Sequence, residues 1–133
     1  MIEIRPEEWS EALLAEVDAA FATHSKSDTS GGLVAPLESA RGGVFCRVYR
    51  DGEPVAWYVL RGIVHDKARE AEIALAHGRA RFDLVRDVLP LIEQQCRAFD
   101  AVRITTRRRG LIKKLIADGY TVDSVTLRKR GKK

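Results

Sequence analysis

Residues 44–64 read VFCRVYRDGEPVAWYVLRGIV, and this stretch decides the fold. Val44 to Arg50 is rich in residues that favour extended backbone. Asp51-Gly52 follows, a strong signal for a two-residue hairpin turn when it stands between two such runs. Pro54 to Val64 is then the returning strand. Val55, Trp57 and Val59 alternate with Ala56, Tyr58 and Leu60, so both faces of this strand are apolar. A strand of that kind lies inside a sheet covered on both sides.

Working outward from the hairpin, His65 to Arg69 is a charged turn. Glu70 to His77 is a third long strand, apolar on both faces except at Glu72. After Gly78 the period becomes helical, with Val85, Leu89, Ile92, Cys96 and Phe99 on one side. Pro90 falls inside that run, where it forces a kink or a fresh helix start. Ala101 to Thr106 reads as a short strand with Val102 and Ile104 inward. Leu111, Ile112, Leu115 and Ile116 mark a short helix, Gly119 caps it, and Tyr120 to Leu127 reads as a final strand. Upstream, Ile2 and Ile4 mark a first strand. Pro6 opens a helix there, with Glu7 and Glu8 at its positive end and Trp9, Leu13, Val17 and Phe21 as its apolar stripe. From His24 to Gly43 no period holds, which points to a short helical turn or a functional loop. The expected fold is α/β (α+β): a mixed, mostly antiparallel central sheet of about six strands with helices on both faces. Residues 1–127 form its single domain, and 128–133 form a basic tail.

The charge is unevenly placed. Residues 1–100 carry 12 Lys/Arg against 17 Asp/Glu, whereas residues 101–133 carry 11 Lys/Arg and only Asp118 and Asp123. A basic end on an acidic body suits an anionic partner. No apolar run is long enough to span a bilayer, and Met1 to Arg5 lacks the basic-then-apolar pattern of a secretory signal. A cytoplasmic protein is expected, with no membrane partner. Cys46 and Cys96 each sit in an apolar pattern, as reduced core thiols do, and no Cys/His spacing suggests a metal.

Three short motifs accompany this order of elements: Ile4-Arg5-Pro6, Asp51-Gly52-Glu53-Pro54-Val55-Ala56 and Ile116-Ala117-Asp118-Gly119-Tyr120. Together they resemble the opening strand, the second hairpin and the helix-end "Leu-Gly-Phe" of the GCN5-related N-acetyltransferases. The chain also resembles the small acetyltransferase-like proteins of tailed phages in size, basic tail and missing motifs. The family likeness implies an acyl-CoA site between the fourth strand and the next helix, marked by Arg/Gln-x-x-Gly-x-Gly/Ala. Its glycines admit backbone N–H groups to a pyrophosphate. The corresponding text here is His77-Gly78-Arg79-Ala80-Arg81-Phe82, with one glycine kept and two arginines added. Gly78, Arg79, Ala80 and Arg81 are the candidate cofactor-binding residues. The family's tyrosine acid falls at Leu115, and its cofactor-contacting asparagine at Arg108. A general base on the fourth strand falls to Glu72, with His77 as second candidate and His65 at the other end of the strand.

Arg107-Arg108-Arg109 opens the last helix, where cations oppose the dipole, so local stability does not explain them. With Lys113, Lys114, Arg128, Lys129 and Arg130 they form a candidate partner-binding face for phosphates or an acidic protein. No aromatics are interleaved, so base stacking lacks support. Three readings follow. The first is a non-catalytic binding or structural protein of this fold, phage-encoded and virion-associated, acting with a protein partner or assembly and needing no cofactor. The second is an acyl-CoA-dependent N-acetyltransferase that uses acetyl-CoA on an unknown amine. The third is a nucleic-acid-associated protein. The missing tyrosine and glycines favour the first.

Overall fold

The computed structural model describes residues 1–23, 42–78, 83–129 and 131. Residues 24–41 of the aperiodic stretch lie outside it, as do Arg79, Ala80, Arg81 and Arg130 and the side chain of Phe21. The elements are β1 (Ile2–Glu7), α1 (Glu11–Thr23), β2 (Val44–Arg50), β3 (Glu53–Val64), β4 (Arg69–Gly78), α2 (Leu84–Asp87), α3 (Leu89–Gln95), β5 (Ala101–Ile104) and α4 (Arg109–Ala117). The five strands form one sheet in sequence order. β1 to β4 are antiparallel neighbours, and β5 lies parallel to β4.

The β2–β3 hairpin forms where expected. Asp51 and Gly52 take positive φ values of 51° and 84°, the backbone of a primed turn whose twist matches the flanking strands. The two faces of β3 differ from simple alternation at one point. Val48 pairs with Ala56 but Tyr49 pairs with Pro54, so Val55 is an extra residue. The bulge sends Val55 to the same face as Ala56, where it packs against the cluster holding Tyr58.

Each face of the sheet has its own core. On one, Leu13 and Val17 of α1 pack on Phe45, Trp57, Val59 and Leu75. On the other, Val88, Leu89, Ile92, Cys96 and Leu115 cover Cys46, Val48, Tyr58, Ala71 and Ile73. Both cysteines are free and buried.

Pro6 does not open a helix. It lies in β1 and pairs with Cys46. β1 is an edge strand, where a missing N–H is tolerated. The helix starts later because Ser10 supplies the cap: its Oγ accepts from the Leu13 N–H at 3.2 Å. Glu7 is thereby freed from the helix and pairs with Arg47. Pro90 behaves as the second expected option, a fresh start, because α2 stops at Asp87 and Pro90 sits in the first turn of α3. α4 ends in a Schellman motif, with Gly119 at φ 101° and the Tyr120 N–H bonded to the Leu115 carbonyl at 3.0 Å.

The sheet has five strands among the described residues rather than six, because Tyr120 to Leu127 is not a strand. Val122, Val125 and Leu127 are 64%, 76% and 90% exposed. β-propensity records fit to a half-buried pleated surface, and this segment pairs with no strand among the described residues. No helix among the described residues is long and apolar enough to cross a membrane.

Candidate acyl-transfer site

β4 carries the candidate base and sits between β3 and β5, so cross-strand register decides what Glu72 meets. Arg61 of β3 and Arg103 of β5 both stand opposite it. Arg61 Nη2 donates to Glu72 Oε1, and Arg103 Nε lies 3.4 Å from Oε2. Glu72 is 6% exposed, the sole buried charged residue among those described. Each oxygen thus faces a guanidinium, which satisfies a buried charge that would otherwise be costly. Proton abstraction by Glu72 would require displacing one of these arginines.

β4 and β5 are paired only from Glu70/Ala101 to Ile73/Ile104. β5 ends there, and β4 continues to Gly78 against β3 alone. The end of β5 coincides with a second bulge: Leu60 pairs with Ile73 and Val59 with Leu75, leaving Ala74 out of register. Bulges re-aim backbone beside clefts. Gly78 closes the strand, and a Cβ there would stand 3.3 Å from the Leu84 side chain. This glycine therefore serves a close approach between β4 and α2.

α2 begins at the position where the family's pyrophosphate would bind, but it is a single turn of four residues. The carboxylate of Asp83 caps it, accepting from the Arg86 N–H at 3.1 Å, while the other oxygen lies 3.2 Å from Lys114 Nζ. The backbone hydrogen bond from Arg86, aided by Lys114, holds Asp83 below the usual carboxylate range. A carboxylate already occupies the anion-attracting end of this turn. Beside it a depression of about 360 Å³ opens between α2–α3 and α4, lined by Val85, Arg86, Pro90 and Ala117 among others. Of the candidate cofactor-binding residues only Gly78 is described, and among the described residues Asp83 places a carboxylate beside it at the start of α2.

Leu115, in the tyrosine's place, is buried in the α3–α4 core. Arg108, in the asparagine's place, is the exposed N-cap of α4 and makes no side-chain cap bond. His77 packs its ring against Trp57, centroids 5.8 Å apart. It lies five residues along β4 from Glu72, about 15 Å of strand, too far for both to serve one proton. Glu16 is held below the usual carboxylate range chiefly by its hydrogen bonds to Arg47, with His77 adding a smaller charge effect. His65 lies in the β3–β4 turn with Nε2 2.7 Å from Glu70 Oε1. Tyr58 and Tyr120 are the phenols nearest the core. Both are pushed up chiefly by burial and spent on Gln95 and Glu93, at 2.9 Å each.

The basic end divides. Lys114 is paired with Asp83, whereas Arg107, Arg108, Arg109, Lys113 and Lys129 are exposed with no acidic partner among the described residues. Arg128 is also exposed. Sequence reasoning missed Arg61, Arg103 and Asp83. Alternation alone could place Arg61 on one face of β3, but only the strand register brings it to Glu72.

No protein-family model and no curated protein matches the sequence. Solved structures do. A putative acetyl transferase from Pyrococcus furiosus superposes with a TM-score of 0.68 at 14% identity, covering 98% of this chain and 99% of that one. A predicted acetyltransferase from Clostridium acetobutylicum, solved with acetyl-CoA, gives 0.67 at 10% identity over 98% and 96%. A ribosomal-protein-alanine N-acetyltransferase from Brucella melitensis biovar Abortus 2308 gives 0.63 at 11% over 98% and 99%. These superpositions over nearly the whole chain, with a parallel β4–β5 pair in a mostly antiparallel sheet and helices on both faces, give this chain the fold of the GCN5-related N-acetyltransferases.

Proposed function

We propose that this chain is a binding or structural protein of the acetyltransferase fold that does not transfer acyl groups. The observation that carries the reading is Glu72, the strand carboxylate, buried with a guanidinium at each oxygen. Leu115 adds to it, since a buried leucine cannot supply the proton that a leaving thiolate needs. So does Asp83, which occupies the turn where a phosphate would have to dock.

The exposed arginines and lysines of α4 and the segment after it are the partner surface in this reading. They suit an acidic protein or a phosphate-bearing assembly. Small size, basic end and missing proton donor support a phage-encoded, virion-associated setting. Capsid and tail genes beside its own gene would strengthen that setting, and a metabolic neighbourhood would argue against it.

One observation favours a second reading, an acetyl-CoA-dependent N-acetyltransferase acting on an amine: β5 ends at Ile104, so the stretch of β4 from Ala74 to Gly78 has no strand partner on that side among the described residues. The deciding experiment is thermal unfolding with and without acetyl-CoA, followed by turnover with an amine panel. A ligand at about 100 times its dissociation constant stabilises a native state by about 2.7 kcal/mol, several degrees for a domain of this size. The expected result is no shift and no turnover. A shift of several degrees, with turnover that a folded Glu72→Gln variant loses, establishes the enzyme instead.

A further inference from the structure

We infer that the exposed face of α4 grips the phosphate backbone of a nucleic-acid duplex without reading its sequence. The inference rests on the proposed function in taking this face as the partner surface, and it names the partner. Arg107, Arg108, Arg109 and Lys113 stand exposed on and just before α4, and Lys129 is exposed in the segment after it. None of these five has an acidic partner among the described residues, and the first turn of α4 carries no acid. Arg109 and Lys113 are one helical turn apart, so they share a face, about 6 Å from each other along the axis. Leu111 and Leu115 turn the opposite face to the core. Arginine at the positive end of a helix opposes the dipole, so the helix forms in spite of Arg109.

Gly110 follows Arg109 on this surface, exposed and helical. A Cβ there would meet nothing within 4 Å. Glycine weakens a helix relative to alanine, and neither packing nor a positive φ requires one here. The bare backbone beside Arg109 lets a broad partner lie flush against the turn. Composition then selects among anionic partners. Interfaces between proteins have an apolar or aromatic centre and few lysines. Residues 107–110 and 113–114 expose only cations and a glycine. Single strands are held by aromatic stacking, and the one aromatic of residues 101–133 is Tyr120, whose hydroxyl is spent on Glu93. The same stretch has no Asn or Gln to read base edges. Arginine and lysine on phosphate oxygens fix a protein on a duplex whatever the bases.

The test is fluorescence anisotropy of the full chain with labelled duplexes of two unrelated sequences, a single strand and polyglutamate, across a salt series. The two duplexes should bind equally, and the single strand and polyglutamate more weakly. The logarithm of the duplex affinity should fall with the logarithm of salt at a slope of about −4.5, the value for five phosphate contacts. The double variant Arg109→Gln and Lys113→Gln should reduce that slope by about 2 for both duplexes. Arg5→Gln, on the edge strand β1 at the other end of the sheet from β5, should leave it unchanged. Gly110→Glu should abolish binding while the melting temperature holds, because the new side chain finds open space and an acid suits a first helical turn. Binding that Gly110→Glu and the double variant leave intact overturns the inference. So does tighter binding of polyglutamate, which would keep the partner surface and make the partner an acidic protein. If neither duplex nor polyglutamate binds at low salt, the inference and the partner surface fall together, while the absence of acyl transfer stands on its own acetyl-CoA test.

Discussion

Glu72 and Arg103 face each other across the parallel β4–β5 pair, the guanidinium Nε 3.4 Å from the carboxylate, one rung before β5 ends. Arg61 closes on the other oxygen from β3. Three charged side chains on three adjacent strands thus tie the sheet together near the end of β5. Arg61 and Arg103 are 36% and 43% exposed, against 8% for the Glu72 side chain, so the acid bears most of the desolvation.

Replacing that acid should therefore hurt the fold. Glu72→Gln keeps the shape but leaves two guanidinium groups without their anion, and a charge-assisted hydrogen bond contributes about 1.5–3 kcal/mol. Urea unfolding should show a loss of that size. The double variant with Arg103→Met should lose less than the sum of the two single variants. Full additivity would mean that Glu72 and Arg103 do not interact.

Leu89 tests the helical face. It is 3% exposed in the core beneath α3, and Leu89→Ala should cost about 2–5 kcal/mol. Val125→Ala, in the exposed segment, should stay within about 0.5 kcal/mol when the chain is monomeric. Equal effects at the two positions would contradict the packing described.

Acid should selectively remove the Glu16–Arg47 contribution. Glu16 has a folded-state value below its ordinary 4.5, chiefly through hydrogen bonds from Arg47. A depressed carboxylate stabilises the fold above its unfolded value and loses that effect as pH falls through the folded one. Native and Glu16→Gln proteins should differ in urea midpoint at pH 7 and converge as acidification passes below 4.5 and through the lowered folded-state value. A gap that persists in acid would show that packing, not charge, carries the effect.

Burial pushes the Cys46 and Cys96 thiols above their ordinary range, so neither is a thiolate near neutral pH. Iodoacetamide at pH 8 should leave both unmodified in the native protein and label both in urea. Rapid native labelling at either position would show that the core opens.

Truncating residues 128–133 should leave the melting temperature unchanged, since Arg128 and Lys129 are exposed. The same truncation should weaken retention on a polyanion such as heparin, and retention of the full chain should fall steeply with salt. Unchanged retention would make these residues a solubilising end.

The hairpin, the two-faced β3, an interruption of the helix at Pro90 and the cap at Gly119 were all legible in the sequence, because each depends on residues within a few positions of one another; that the interruption is a fresh start and not a kink came from the structure. Alternation, turn chemistry and a missing N–H act locally, and the tertiary structure had only to agree. That Leu115 stands in the place of the family's tyrosine came from the resemblance alone, and not from local sequence rules.

What the tertiary structure alone decided is everything that depends on which strands are neighbours. Pro6 reads in sequence as the first residue of a helix, and the position of β1 at the sheet edge overrides that reading by accommodating it in the strand. Thr121 to Leu127 has the composition of a strand, but a strand exists only where another backbone meets its hydrogen bonds, and composition does not say whether one does. Glu72 reads alone as an acid in an apolar run. Its two arginines lie 11 residues before it and 31 after it, and the register of three strands brings them together.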